Sequence, residues 1–368
     1  MRRNTIVTIA LLSLAALAPA CGDEPAATGD TETLASSVGA RRACGQVDEF
    51  PITPVSGVTI FPQDIVTGPD GKLWFTTFQT FIGRMSPDDG STDTVATPSV
   101  AGHLAIGPDG NVWYTTGGPG VGRVSRHHGI REIPIPELGF AVDVAADDRF
   151  VWVLGFENVA RVTADGRIKL FPISDYFASS GDNLVIGADG NVWFSRGPNN
   201  ALAFYRLTPD GTVTAFPVTG PAGGIFGAAL GPDRAIWFTE GGGGPNENAI
   251  RRITLDGITS TVVQLPDSTS TDPTAPPTDM PIAITQGPDR KMYFTTYLVN
   301  PLNYIGQADR RGRLTKFVVP TPGAASFGIT TGSDGNVWFT ENFNQSIGRV
   351  TITACRRPKD GHGHDDDR

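Results

Sequence analysis

The chain has 368 residues, with 38 acidic side chains against 29 Lys and Arg and a formal charge of -9 at pH 7. Such a balance repels phosphate backbones, so a nucleic-acid partner is excluded. Its 45 glycines and 29 prolines, with only 18% charged residues, suit a turn-dense β fold rather than a helical one.

At the N-terminus, Arg2 and Arg3 precede an apolar run over residues 6–17 and then Ala18-Pro19-Ala20-Cys21. This pattern reads as an export signal over residues 1–20, too short and wrongly flanked for a membrane span. Ala18-x-Ala20 suits ordinary signal peptidase, whereas a small residue before Cys21 resembles a bacterial lipoprotein box with Cys21 lipidated. Both options remain open, and both place the mature chain in the bacterial cell envelope, lipid-anchored or periplasmic to extracellular. Lipidation would absorb the odd one of three cysteines and leave Cys44 and Cys355 as a pair in an oxidising compartment. Residues 21–43, rich in Ala, Gly, Thr and acidic side chains, read as a flexible tether.

The body, residues 44–355, is an array of one repeated phrase. It appears as Gly68-Pro69-Asp70-Gly71-Lys72-Leu73-Trp74-Phe75-Thr76-Thr77 and returns around Trp113, Trp152, Trp193 and Trp237, with Tyr293 replacing the indole in a sixth copy. The last copy is Gly332-Ser333-Asp334-Gly335-Asn336-Val337-Trp338-Phe339-Thr340-Glu341. Seven copies about forty residues apart suggest propeller blades or helical solenoid units. Asp-Gly turns between short β-branched and aromatic runs choose strands. Each unit holds four such runs, the third carrying an Ile-Gly-Arg-Val phrase. The fold expected is all-β: a seven-bladed β-propeller with four antiparallel strands per blade.

The seventh unit stops after its third run, residues 347–352. The missing fourth run is Gln46-Val47-Asp48-Glu49-Phe50-Pro51-Ile52, which matches Ile130-Arg131-Glu132-Ile133-Pro134-Ile135. We therefore expect the N-terminal strand to complete the last blade. Cys44 would then lie beside Cys355, and a Cys44–Cys355 disulfide is predicted. Residues 356–368 form a polar tail expected to be disordered, with His362 and His364 as weak metal ligands at most.

Within the repeat, the tryptophans read as packing between adjacent sheets. The Arg of the third run, recurring as Arg84, Arg123, Arg161, Arg206, Arg252 and Arg349, reads as a tie between blades. The Gly-Pro-Asp-Gly segments lack the carboxylates of a calcium cage and read as turns. These tight turns share one face. The variable segments, residues 240–248, 296–303, 341–345 and the crossing 266–281, share the other, which is the expected binding face.

These phrases, over residues 46–352, resemble the streptogramin (virginiamycin B) lyase family. That resemblance implies a seven-bladed propeller that opens a cyclic depsipeptide ester by β-elimination, with Mg²⁺ on one face. It also implies histidines at the start of first strands, facing a glutamate at the end of the second strand in the same blade. Glu240 and Glu341 match those glutamates, as base or metal ligand. The matching histidine positions hold Phe226 and Phe327, and in the other blades Gln63, Gly102, Phe140, Asp182 and Ile282. His103 lies one residue past its slot, and strand alternation turns it to the other side of the sheet, as a structural residue. His127 and His128 occupy a turn on the far face.

Binding without chemistry is therefore the leading expectation: a small molecule, peptide or glycan received in an aromatic cup of Phe226, Phe327, Tyr297 and Phe343. Asp182, Asn342, Glu240 and Glu341 would supply hydrogen bonds or hold a divalent cation. The alternative is an active carbon–oxygen lyase with Glu240 or Glu341 as base and Mg²⁺ as cofactor. A third option is a lactonase with Asp182, Asn183, Glu240 and Asn342 around one cation. A monomer is expected, touching membrane only through the lipid anchor.

Overall fold

The computed structural model describes residues 44–53, 58–125, 127, 129–173, 182–196, 202–219, 223–242, 247–265, 279–297 and 303–352. The export signal with Cys21, the tether, Cys355, His128 and the histidines of the tail lie outside the described residues. Strands of the described residues form seven four-stranded antiparallel sheets, so the expected seven-bladed propeller is observed. In the first blade the strands are Ile65–Thr67, Leu73–Thr76, Phe81–Met85 and Thr92–Ala96. The last sheet is built from Ser326–Thr331, Val337–Glu341 and Ser346–Val350, and Val47–Pro51 pairs with its outer side, Val47 opposite Val350.

The repeated phrase is explained by three local interactions. Each Asp-Gly turn places a glycine at positive φ, as at Gly71 (76°) and Gly335 (72°), where a Cβ would be strained. The Asp of the turn then accepts the indole N–H of the following Trp. Asp70 takes Trp74 Nε1 at 3.0 Å, Asp109 takes Trp113 at 3.0 Å and Asp334 takes Trp338 at 3.0 Å. Even the substituted copy keeps the bond, Tyr293 donating to Asp289 Oδ2 at 3.1 Å. Burying an indole is favourable only when its one donor is satisfied, which is why Asp and Trp recur together.

Each Trp packs into the next blade. Trp338 shares a buried cluster with Ile65, Leu73 and Phe75 of the first blade, and Trp74 with Leu104, Val112 and Tyr114 of the second. The recurring Arg covers the indole from the third strand, Arg84 at 5.1 Å from the Trp74 ring and Arg349 at 5.0 Å from Trp338. It also reaches the adjacent blade, as where Arg123 donates to Ala164 O at 2.8 Å. Tryptophan and arginine alike are thus elements of blade packing.

The threonine after the aromatic pair stitches the inner edge. Thr340 Oγ1 accepts from Gly328 N at 2.8 Å and donates to Gln63 O of the first blade at 2.8 Å. Thr295 likewise accepts from Ala283 N at 3.0 Å and donates to Phe327 O at 3.0 Å. These bonds serve a recurrent irregularity. The innermost strands Ala101–Ile106, Ala141–Ala146, Gly224–Leu230, Met280–Gln286 and Ser326–Thr331 each shift register near their start. Such bulges free backbone groups from the ladder and re-aim side chains. Here the freed groups are taken by threonine, except in the third blade, where Leu154 stands in its place and Asp143 Oδ1 takes Val144 N at 2.7 Å.

Candidate active site at the propeller axis

The bulged starts of the inner strands enclose a cavity of about 290 Å³ on the axis. Phe226, Phe327 and Ile282 form one wall, and Asp64, His103 and Asp143 stand in another. Phe78, 60% exposed, joins the lining from a loop of the first blade.

His103 is the main departure from the sequence expectation. Uninterrupted alternation would have turned it away from the axis. The register shift between Ala101 and Leu104 inserts extra backbone, and the imidazole enters the cavity with its side chain 54% exposed. Its backbone N–H goes to Thr115 Oγ1 at 2.9 Å, so the bulge is held rather than loose. Nδ1 lies 3.8 Å from Asp64 Oδ2 and 3.7 Å from Asp143 Oδ1.

Both carboxylates are positioned by backbone donors. Asp64 accepts Ile65 N at 2.8 Å and, from the next blade, Leu104 N at 2.8 Å. Asp143 accepts Val144 N at 2.7 Å and Leu184 N, again from the next blade, at 2.7 Å. Burial pushes both pKa values up against the pull of His103 and those donors, Asp143 to about 6. The result is an imidazole between two fixed carboxyl groups in a half-open, partly apolar space, an arrangement able to hold or exchange a proton with a bound molecule. Gly102 next to His103 was the available signal, since glycine within a strand marks bulges.

The other candidate residues are distributed differently. Phe226 and Phe327 line the cavity, and Tyr297 meets Phe327 edge-on with ring centroids 5.8 Å apart. Asn183 also lines it, one residue beyond Asp182. Asp182 itself is buried in an ion pair with Arg196, Nε to Oδ2 at 3.1 Å. Asn342 is 4% exposed and donates to Pro62 O at 3.2 Å. Phe343 is 59% exposed but outside the cavity lining, and Phe140 stacks on Phe156 at 5.6 Å.

Glu240 and Glu341 lie outside the cavity lining and are enclosed, at 1% and 0% exposure. Glu240 Oε2 accepts from Arg251 Nη1 at 2.8 Å. Arg251 occupies the place that Gly83, Gly122, Gly306 and Gly348 hold in other third strands, and its guanidinium lies 5.7 Å from the Phe238 ring. Glu341 Oε2 accepts from Asn344 Nδ2 at 2.8 Å. Burial, with the Glu49 carboxyl beside it, pushes Glu341 up to about 8, so it is held protonated at neutral pH. One glutamate is thus committed to an arginine and the other is fully enclosed away from the cavity lining, a placement that does not fit the Mg²⁺ implied by the resemblance. Among the described residues no group of three or more His, Cys, Asp or Glu is placed to hold a metal ion.

A family model described as the virginiamycin B lyase family matches residues 25–203 and 141–355. A virginiamycin B lyase of Nocardia farcinica is 28% identical over 192 residues, spanning 50% of this chain and 59% of that protein, so less than two thirds of the relative is matched. Among solved structures, a catalytically inactive virginiamycin B lyase from Staphylococcus aureus with quinupristin superposes with a TM-score of 0.68 at 24% identity, over 83% of this chain and 99% of that one. A streptogramin B lyase structure does so with a TM-score of 0.68 at 25% identity, over 83% and 97%.

Proposed function

The chain belongs to the virginiamycin B lyase family, and we propose that within it this propeller is an exported binding module whose axial cavity receives an amphipathic small molecule or peptide. The observation that carries the proposal is the two-sided lining: Phe226, Phe327 and Ile282 opposite Asp64, His103 and Asp143. Aromatic walls supply stacking area and the polar groups fix orientation, the usual division of labour in a ligand cavity. Quinupristin, bound by the Staphylococcus aureus relative, is the first probe to titrate. Saturable binding weakened by Phe226→Ala supports the cavity, and affinity unchanged by that variant argues against it.

A second reading, carbon–oxygen lyase activity, is favoured by His103 itself. A neutral imidazole can take a proton α to a carbonyl; the C–H electrons form the new C=C bond, and the ester oxygen leaves as a carboxylate. Asp64 and Asp143 would position the imidazolium that results. Such ring opening gives a linear isomer of unchanged mass, so chromatographic separation of that isomer from the intact ring distinguishes the two readings, whereas hydrolysis would add one water.

The same proposal includes a covalent lock on the last blade. Gly45 donates to Thr351 O at 2.9 Å and Thr351 donates to Gln46 O at 2.9 Å, so the segment beside Cys44 runs along the one that leads to Cys355. A Cys44–Cys355 disulfide and lipidation of Cys21 fit an envelope protein.

A further inference from the structure

Resting on the axial cavity as the binding site, we infer that its preferred ligand is an organic cation, a substituted ammonium carried on an apolar or aromatic body. Among the described residues, three titratable side chains line the cavity: Asp64 from the first blade, His103 from the second and Asp143 from the third. No Lys or Arg is among the described lining residues. With His103 neutral the wall carries two carboxylates, and with His103 protonated one negative charge is still in excess. An anionic ligand would meet that charge with no counter-ion, and a neutral one would leave it unanswered.

The geometry sets where the cation sits. Asp64 Oδ2 and Asp143 Oδ1 both approach His103 Nδ1, at 3.8 and 3.7 Å, so the two carboxyl groups of alternate blades converge on one point. Each is held there by backbone donors of two blades, so neither can swing away to pair elsewhere. The facing wall is aromatic, and Phe226 is 39% exposed. An ammonium between carboxylates and a ring face gains from both, and its organic body covers Ile282 and Phe327. Asp143, pushed up by burial to about 6, loses its charge below that pH. That loss weakens cation binding in acid.

The test uses the full chain and three probes of one shape: benzyltrimethylammonium, benzyl alcohol and phenylacetate. The charge of the first does not titrate, so any pH dependence belongs to the protein. At pH 8 the cation should bind about tenfold or more tighter than the alcohol, the ratio expected for one ion pair with a cation–π contact in a partly desolvated site, with phenylacetate weakest. At pH 5 the preference should shrink. Asp143→Asn should remove most of the preference while the alcohol still binds, and Phe226→Ala should weaken cation and alcohol together. Equal binding of cation and alcohol by the wild type at pH 8 overturns the inference without touching the cavity reading. So does a preference that survives in both Asp64→Asn and Asp143→Asn. Absence of binding by all three probes overturns the inference and the cavity reading together.

Discussion

His103 Nδ1 lies 3.7 Å from Asp143 Oδ1 across the boundary between the second and third blades, and that approach exists only because both inner strands are bulged. A bulge costs ladder hydrogen bonds, which the inner edge replaces with threonine hydroxyls and carboxylates. The same replacements join neighbouring blades, so the shape of the cavity is tied to closure of the ring.

Thr340→Val should test that link. It removes the acceptor of Gly328 N and the donor to Gln63 O in a buried setting, a loss of about 1–3 kcal/mol for the groups left unpaired. Urea midpoints should fall accordingly, and quinupristin affinity should fall too because Phe327 sits in that bulge.

Asp109→Ala separates stability from function. It strands the indole N–H of Trp113, which is 0% exposed, and should cost about 1–3 kcal/mol. Because the turn lies away from the cavity lining, affinity measured well below the melting temperature should not change.

Asp182→Asn should act through the fold. Removing one partner of the buried pair with Arg196 typically costs about 3–5 kcal/mol. A large drop in thermal midpoint, with normal affinity for the fraction still folded, is the expected outcome.

Glu341 makes a pH prediction. Its folded pKa of about 8 stands above its ordinary 4.5, so the folded state binds the proton more tightly than the unfolded state. Stability therefore declines as pH rises from about 4.5 to about 8. Glu341→Gln keeps the neutral form at every pH, so its stability should exceed the wild type's at pH 8.5 by an amount on the order of a few kcal/mol, and the gap should narrow at pH 5.

The propeller was legible because one phrase recurs with its turn, its indole and its arginine, and each copy solves the same local problem of burying a tryptophan with its N–H satisfied. His103 was not, because alternation along a strand presumes an unbroken pleat and a bulge shifts every later side chain. Glu240 and Glu341 were placed at the strand ends as expected, but whether an end residue faces the axis depends on partners from elsewhere. Arg251 could have been read as Glu240's partner, since it interrupts the glycine of the third-strand phrase. Glu49, opposite Gly348 in the closing strand, is separated from Glu341 by most of the chain, and nothing local announces it.

The most direct measurement is calorimetric titration of quinupristin into the full chain and into the Phe226→Ala/Phe327→Ala double variant, with mass spectrometry of each mixture. The account predicts saturable binding by the wild type, weakened at least about tenfold in a double variant of unchanged melting temperature. Equal affinity in both proteins, or no binding by the wild type, would contradict the axial cavity as the site.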